Sequence, residues 1–390
     1  MEKCSHCASC EAICPVYLET LSEPMVARNR VEVIRETLYK KNLSVSARAR
    51  EIISCCLLCT NCTQNCAARV PIDEVIIAGR SALREKAGVD LKTAVMGKML
   101  SQRKLTGILS KAGSIAQKVG IATKDVPVLA GKTFEKYYQG TVPAVGETRV
   151  RVAYFVGCGT NFMWPDTGVA TVKVLTHNGI EVVIPQGQVC CGIPSMAEGD
   201  LETTVNMIRT NIEIFADMDV DAIITDCTSC GMMFKEKFQR ILPADDPLQE
   251  KAAKVAARIM EATDYLNQAG LVKQPGQMDK AFTYHVPCHR SWNTTVRNAP
   301  RELLGQIPGA QLKEMENPES CCGAGGIFYM EHGDLSRGIR SHRIEEVEAT
   351  GVDTVVTQCP ICRFYLRSGF EDKSVEVVHP MIMLERAYGI

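Results

Sequence analysis

The sequence predicts a multidomain α/β protein, in which an α-helical, cysteine-rich N-terminal domain precedes two duplicated α/β domains with largely parallel sheets. Two observations lead to this prediction. A run of four cysteines occurs twice before residue 70, and a longer pattern of five cysteines occurs twice after residue 150. The predicted units are the N-terminal domain at 1–90, a helical connector at 91–149, the duplicated domains at 150–245 and 278–390, and a linker helix at 246–277.

Composition and charge exclude several classes of protein. The 390 residues carry 44 Lys plus Arg against 45 Asp plus Glu, so no basic field exists to attract nucleic acid. The longest apolar runs fall short of the roughly 20 residues that a spanning helix needs, and the N-terminus has no secretory signal. We therefore expect a cytoplasmic protein with no transmembrane segment of its own, held at the inner face of a membrane only through a partner. With 19 cysteines in such a chain, metal ligation is favoured over disulfides.

Both short cysteine runs have the spacing C-x2-C-x2-C-x3-C, in "CSHCASCEAIC" at 4–14 and "CLLCTNCTQNC" at 56–66. This spacing is typical of bacterial ferredoxins, where three neighbouring thiolates bind one [4Fe–4S] cubane and the fourth cysteine reaches the other. The pattern predicts one cubane on Cys4, Cys7, Cys10 and Cys66, and a second on Cys56, Cys59, Cys62 and Cys14. Zinc knuckles or disulfides are the alternative, but two duplicated runs fit paired iron clusters better than single four-ligand zinc sites.

The segment between the two runs should be helical. Val31, Ile34 and Leu38 recur at helical spacing among charged residues that favour helices. Cys55 is the one cysteine outside both patterns, and it is either a small buried thiol or a ligand that exchanges with Cys56.

The longer pattern indicates an internal duplication. It reads C-x31-CC-x35-C-x2-C in the first copy and C-x32-CC-x36-C-x2-C in the second, with similar apolar runs before the cysteines. The first copy contains Cys158, Cys190, Cys191, Cys227 and Cys230, and the second contains Cys288, Cys321, Cys322, Cys359 and Cys362.

Each copy alternates strand-like and helix-like segments. In the first copy, "RVAYFVG", "IEVVIP" and "DAIITD" are typical of buried parallel strands, and a helix is expected from Asp166 to Gly179. The carboxyl ends of parallel strands meet at one edge of a sheet, so the five cysteines of each copy should converge there. Helix N-termini at that edge also favour a negatively charged cluster. The sequence therefore predicts a metal cluster in each copy; a redox-active C-x-x-C disulfide is the alternative.

Three further segments bear on function. His289 follows Cys288, and His285 lies three residues before it, so either could hydrogen-bond to a cluster sulfur or be an ordinary strand-end histidine. "CCGAGGIF" lacks the G-x-G-x-x-G spacing, and no bound nicotinamide or flavin is assigned to this chain. Residues 251–270 predict one amphipathic helix that packs Val255, Ile259 and Leu266 against a neighbouring domain.

Taken together, these motifs resemble the CCG-domain iron–sulfur family, which includes heterodisulfide reductase catalytic subunits and the iron–sulfur subunits of glycolate and lactate dehydrogenases. The resemblance covers nearly the whole chain. It implies that each complete five-cysteine set binds a noncubane [4Fe–4S] cluster, because members with the full motif do so.

The resemblance implies an oxidoreductase subunit that works in an anaerobic, multi-subunit complex. We expect a heterodisulfide reductase-like electron-transfer subunit that carries electrons between a flavoprotein (FAD) partner and a further acceptor, with a membrane cytochrome or quinone-reactive subunit as a further partner. In the alternative, the chain is the catalytic subunit, and its two facing CCG clusters cleave a disulfide directly. A purely structural metal scaffold does not account for so many clusters.

Overall fold

The computed structural model describes residues 1–87, 91–103, 106–107, 111, 127, 129–290, 298–370 and 375–390. Mixed helices and parallel-dominated sheets follow a helical N-terminal domain, which confirms the predicted fold class.

The N-terminal domain is built from short helices around its cysteine loops. The first begins with a proline directly after Cys14, where the missing N–H costs nothing because a first-turn N–H has no partner inside the helix. Ser46 caps the third by accepting a hydrogen bond from the Ala49 N–H at 3.1 Å. The α-helices span Pro15–Thr20, Ala27–Ile34, Ala47–Ser54, Asn61–Gln64 and Ile72–Ala87, with a 3-10 turn at Glu23–Met25 and a π-helical turn at Arg35–Tyr39. Helical structure between the two cysteine runs is thus confirmed, with Val31 and Ile34 buried.

The connector is only partly helical among its described residues. A helix spans Leu91–Ser101 and a 3-10 turn spans Phe134–Lys136. The connector ends in the Pro- and Gly-bearing segment 140–149, where β1, Gly140–Val142, pairs antiparallel with a strand of the first duplicated domain. Most of 104–128 lies outside the described residues.

The first duplicated domain has a five-stranded sheet in the order β1-β3-β2-β4-β5. Its own strands are β2 Val150–Tyr154, β3 Ile180–Ile184, β4 Ala222–Thr225 and β5 Ile259–Glu261, and they run parallel to one another. The helix expected from Asp166 spans Pro165–His177 and stops before Gly179, whose φ is +76°. The other helices span Cys158–Phe162, Ile193–Ala197, Leu201–Phe215, Thr228–Met232, Phe238–Ile241, Gln249–Arg258 and Ala262–Ala269, with a π-helical turn at Met233–Lys237.

The second duplicated domain repeats this topology. Its four parallel strands have the order β7-β6-β8-β9, which matches β3-β2-β4-β5 of the first sheet strand by strand. The strands are β6 Lys280–Tyr284, β7 Ala310–Leu312, β8 Thr354–Val356 and β9 Glu376–Val378. The helices span Ala299–Leu304, Phe328–Glu331, Gly333–Ala349, Pro360–Arg367 and Pro380–Tyr388, with 3-10 turns at Cys288–Arg290 and Ser368–Phe370.

The single linker helix expected at 251–270 is wrong. Two helices form, and β5 separates them as the edge strand of the first sheet. Pairing with β4 satisfies the backbone of β5, and the buried Glu261 carboxylate accepts a hydrogen bond from Gln358 Nε2 at 2.7 Å. Tertiary pairing therefore overrides a local pattern that is equally compatible with a helix.

The two duplicated domains share one hydrophobic core. Tyr154 and Val152 of the first sheet belong to the same buried cluster as Phe282 and Tyr284 of the second. The cluster also contains residues of the helices Pro165–His177 and Pro380–Tyr388, which are further joined by an ion pair of 2.9 Å between Lys173 and Glu385. A shared close-packed core has low compressibility, so it holds the cysteine-bearing edges of the two sheets in place relative to each other.

Candidate metal centres

The cysteines of both duplicated domains lie at the switch points of their sheets. In the first sheet, β2 and β4 are neighbours whose connections leave in opposite directions, and such a point forms a ligand crevice at the carboxyl edge. Cys158 follows β2 and Cys227 follows β4 at this point; Cys288 and Cys359 follow the equivalent strands of the second sheet.

The five thiols of each set form a connected group with the same contacts in both domains. Cys158 Sγ lies 3.5 Å from Cys190 Sγ, and Cys322 Sγ lies 3.4 Å from Cys362 Sγ. Two sulfurs on one tetrahedral metal ion, with bonds of about 2.3 Å, are roughly 3.8 Å apart. The side chain of a neighbouring cysteine also shifts the pKa of Cys190 (from Cys191), Cys191 (from Cys230), Cys230 (from Cys227), Cys288 (from Cys321), Cys322 (from Cys321) and Cys362 (from Cys359).

The buried thiols of one set cannot all ionise together without a cation among them. The hydrogen bond with Cys190, together with burial, raises the pKa of Cys158 well above its usual value, while hydrogen bonds from Cys190 and Cys230 lower the pKa of Cys191 to about 5. Neighbouring thiols thus share protons instead of ionising together. Metal binding requires the thiolate form, and the charge of the metal removes this conflict. The donor chemistry fits an iron–sulfur cluster.

A glycine next to each cysteine pair makes the local backbone possible. Gly192 has φ of +97° and Gly323 has φ of +90°, a left-handed region that residues with a Cβ avoid. A Cβ on Gly323 would lie 2.8 Å from the carbonyl oxygen of Ser336. The chain therefore turns sharply after each pair and directs both thiols into the group.

The two sets meet each other at the domain interface. The side chain of Cys227, in the first set, lowers the pKa of Cys359, in the second, and the Ser229 hydroxyl lies 3.8 Å from Cys359 Sγ. The backbone N–H of Thr228 donates to the carbonyl oxygen of Gln358 at 3.4 Å, and Trp164 Nε1 donates to that of Pro360 at 3.0 Å. A cavity of about 340 Å³, lined mainly by apolar side chains, is bordered by cysteines of both sets.

The N-terminal cysteines line two adjacent cavities. A cavity of about 30 Å³ is lined by Cys4, Cys7, Cys10 and Cys66, and one of about 20 Å³ is lined by Cys14, Cys56, Cys59 and Cys62. Cys62 also lines the first cavity, so the two groups are adjacent. Cys55 is buried, lines neither cavity, and has its pKa raised by burial, as expected for a small packed thiol.

A buried cationic side chain, which could not be predicted from the sequence, lies beside the second of these groups. Arg30, which is 1% exposed, donates to the carbonyl oxygens of Ile52, at 3.1 Å, and of Cys55, and lies 3.8 Å from Cys14 Sγ. Among the described residues, no carboxylate lies within ion-pair distance of Arg30. No sequence signal distinguishes it from the half-buried arginines Arg28 and Arg35 of the same helical segment.

Contacts also connect the N-terminal domain to the second set of five cysteines, in the second duplicated domain. Cys59 and Cys321 belong to one buried cluster, where the Cys321 side chain, together with burial, raises the pKa of Cys59 well above its usual value. Gln64 Nε2 donates to the carbonyl oxygen of Cys288 at 3.4 Å. His289 lies in the same interface, and His285 lies beside the thiols of the second set.

Comparisons with known proteins agree with this organisation. The cysteine-rich domain family named CCG matches residues 152–235 and 282–367, and a 4Fe-4S dicluster domain matches residues 1–70. Lactate utilization protein A of Shouchella clausii is 34% identical over 59% of this chain and 96% of its own length. The chain belongs to the CCG iron–sulfur family.

Other members of the CCG family match nearly the whole chain. One subunit of the fumarate reductase (CoM/CoB) of Methanothermobacter marburgensis is 26% identical over 99% of this chain and 72% of its own length. The probable glycolate oxidase iron-sulfur subunit of Bacillus subtilis is 28% identical over 99% and 94%. A solved structure of a hypothetical protein from Helicobacter pylori shares the fold, with a TM-score of 0.55, 9% identity, and coverage of 93% of this chain and 67% of that chain.

This CCG protein is therefore an iron–sulfur subunit of the reductase or oxidase type, with [4Fe–4S] clusters as cofactors. Two of these relatives are named as subunits of larger assemblies. Among the helices that the structure describes, none combines the length and apolarity needed to cross a bilayer.

Proposed function

We propose that this chain is the electron-transfer subunit of an anaerobic oxidoreductase complex of the heterodisulfide reductase type. In this proposal, it carries single electrons between a flavoprotein partner and a further acceptor, in a reducing cytoplasm or at the cytoplasmic face of a membrane through a partner. The eighteen patterned cysteines hold the clusters: two cubanes in the N-terminal domain and one noncubane cluster in each CCG domain. Such clusters supply one-electron carriers that split the electron pair of a flavin.

One observation carries the proposal: the four thiol groups form a continuous series from the surface to the interior. The series begins at Cys7, which is exposed, and passes to the adjacent group through Cys62. It continues through the contact of Cys59 with Cys321 and ends across the contact of Cys359 with Cys227. An entry point at the surface and short contacts between successive groups are what a multi-step electron carrier needs.

Iron content tests the cluster assignment directly. Four four-iron clusters predict about 16 iron atoms per chain in protein purified without oxygen. Replacing Cys191 by serine should leave the N-terminal clusters and lower this content, whereas replacing Cys55 by serine should leave it unchanged. A content of about eight iron atoms in the unmodified chain would show that the CCG domains hold no clusters, and it would refute the proposal.

The cavity between the two CCG sets favours a second candidate, a catalytic disulfide reductase. A disulfide that takes up two electrons and two protons gives two thiols, and thiols of both sets border this cavity. Ile327→Trp, which fills the cavity from one wall, should then abolish disulfide-dependent oxidation but not electron uptake from a flavoprotein. Val272→Trp is the control, because Val272 is 52% exposed and lies outside the cavity.

Electron paramagnetic resonance separates the two candidates. A disulfide is added to the reduced protein without oxygen, and the spectra are compared with those of the Ile327→Trp and Val272→Trp variants. A new paramagnetic species that only Ile327→Trp abolishes supports direct disulfide chemistry. No new species, with normal flavin-linked turnover, supports electron transfer alone.

A further inference from the structure

The two CCG domains differ at the residue that follows β2 in the first domain and β6 in the second. In the aligned segments "AYFVGC" and "TYHVPC", Phe155 of the first domain corresponds to His285 of the second. Phe155 packs against the rings of Phe215 and Phe234, with centroid distances of 5.9 and 4.5 Å. His285 is fully buried as well. The same place in the fold thus presents a hydrocarbon ring in one domain and a nitrogen donor in the other.

His285 lies beside two thiols of the second set. A ring nitrogen of His285 and the Sγ atoms of Cys322 and Cys362 all lie within 4.8 Å of one another. Donor atoms on one tetrahedral ion, with bonds of about 2.0–2.3 Å, are roughly 3.5–3.8 Å apart, so a small side-chain rotation suffices. These are the described His, Cys, Asp and Glu side chains that combine such proximity with a histidine.

The backbone holds this histidine in place. The His285 N–H donates to the carbonyl oxygen of Val356 at 3.0 Å, which extends the pairing of β6 with β8 by one residue. Because β8 also leads into Cys359, the histidine and the C-x-x-C thiols are positioned by the same pair of strands. Residues on paired strands hold a fixed geometry better than residues on separate loops.

We propose that His285 supplies a nitrogen ligand to the metal centre of the second CCG set. That centre is then bound by five cysteines and one histidine, whereas cysteines alone bind the centre of the first set. The proposal rests on the proposed function, because it requires a metal centre at the second set. Imidazole is a suitable ligand for iron, and histidine ligation at an iron–sulfur cluster raises its reduction potential.

Such a difference makes the two CCG centres unequal electron acceptors. The second set contacts the N-terminal groups through Cys321 and Cys59. Electrons from the surface therefore reach the second set before they reach the first set. A higher reduction potential at this set favours its reduction before that of the first. His285 would thereby order the two one-electron steps.

The test is pulsed electron paramagnetic resonance on the reduced full chain, purified without oxygen and with iron measured first. Protein labelled with 15N-histidine should show a strong nitrogen coupling that differs from that of unlabelled protein. His285→Phe should remove this coupling and keep its iron, because the first domain carries phenylalanine at the same position. The ratio of reduced to oxidised second centre at the wild-type midpoint should fall about tenfold, which is about 59 mV for one electron.

Two controls make the result specific. His332→Phe replaces a half-buried histidine outside the cavity that the thiols line, and it should leave both the coupling and the midpoint unchanged. His289→Gln removes the other histidine near the second set, and the coupling should survive it. If His285→Phe loses iron, survival of the coupling in His289→Gln still assigns it to His285.

Absence of histidine coupling in labelled wild-type protein overturns the proposal, as does a coupling that persists in His285→Phe. If the coupling is only as weak as the coupling that an N–H···S hydrogen bond produces, ligation by His285 is overturned too. Iron content separates these failures from failure of the proposed function. About 16 iron atoms without nitrogen coupling refutes the histidine ligand alone, whereas about eight removes the CCG centres themselves.

Discussion

The Nε2 atom of His289, in the second CCG domain, lies 3.0 Å from the carbonyl oxygen of Leu58, in the second cysteine loop of the N-terminal domain. A carbonyl oxygen only accepts, so Nε2 carries the proton, and Nδ1 of the neutral ring accepts from the Ser229 hydroxyl at 2.9 Å. Ser229 belongs to the first CCG domain. One imidazole therefore joins all three domains at the point where their cysteine groups meet.

We expect His289→Ala to loosen this junction. Two hydrogen bonds contribute about 1–2 kcal/mol together, so amide exchange in the loop at 56–62 should become about 5–30 times faster. Ser229→Ala removes one of the two bonds and should have a smaller effect. Hydrogen–deuterium exchange measures both variants, with His177→Ala as the control, since the ring of His177 packs against Tyr388 within the CCG domains. Unchanged exchange in His289→Ala would contradict the role of the junction.

Arg30 should set the reduction potential of the buried N-terminal centre. Burial disfavours the more negative, reduced state of a cluster, and the buried guanidinium opposes this effect. At about 8 Å from the cluster and an effective dielectric constant of about 20, one charge contributes about 2 kcal/mol. Arg30→Met should therefore lower the reduced-to-oxidised ratio of this centre more than about tenfold at the wild-type midpoint.

Redox titration followed by electron paramagnetic resonance measures the effect of Arg30→Met. Arg30→Lys keeps the charge and should stay close to the wild-type midpoint. Arg50→Met removes an exposed charge from the same domain and should shift the midpoint little, because solvent screens it. Equal midpoints for Arg30→Met and Arg30→Lys would show that the charge is not what matters.

The buried ion pair of Lys237 and Asp73 should hold the first CCG domain to the N-terminal domain. Lys237 Nζ lies 2.6 Å from Asp73 Oδ2, and both side chains are at most 6% exposed. Burial alone would raise the pKa of Asp73, but the charge and hydrogen bond of Lys237 and a hydrogen bond from Thr63 lower it overall. Lys237→Met leaves the carboxylate buried without its partner, at a cost of about 3–5 kcal/mol.

A double variant separates the pair from its neighbourhood. Lys237→Met combined with Asp73→Leu removes both charges and should restore most of the stability that the single variant loses. The comparison uses apparent melting temperatures measured without oxygen, since a multidomain metalloprotein does not unfold in two states. If the single variant melts as the wild type does, the ion pair does not fix the interface.

The positions of the cysteines within each domain could be predicted from the sequence. Parallel strands must end at one edge, so Cys158 after β2 and Cys227 after β4 have to converge, and a duplicated pattern predicts a duplicated site. The crossed N-terminal groups follow equally from loop length, because a short run cannot place its fourth thiol, such as Cys14, next to the other three. These inferences need only local spacing and strand direction.

Contacts between the domains could not be predicted in this way. The pairing of Cys227 with Cys359 depends on how two complete domains pack, and no local spacing encodes it. The strand β5 depends on the edge of a sheet that lies elsewhere in the sequence, so residues 251–270 resemble one helix. Arg30 is buried only because Ile52 and Cys55 present carbonyl oxygens to it.

His379 should make the protein sensitive to mild acid. Its Nδ1 accepts from the Met381 N–H and its Nε2 donates to the carbonyl oxygen of Asp226, and burial lowers its pKa to about 3. In the unfolded chain, the histidine ring binds a proton with a pKa of about 6.5, whereas the native ring stays neutral at that pH. Stability from this residue is therefore complete above pH 6.5 and falls by about 1.4 kcal/mol per pH unit between 6.5 and 3.

His379→Asn keeps a residue that caps helices well but does not titrate. Between pH 7.5 and 5.5, the wild type should lose about 1.4 kcal/mol more stability than this variant, so its apparent melting temperature without oxygen should fall further. An equal loss in His379→Asn would refute the assignment.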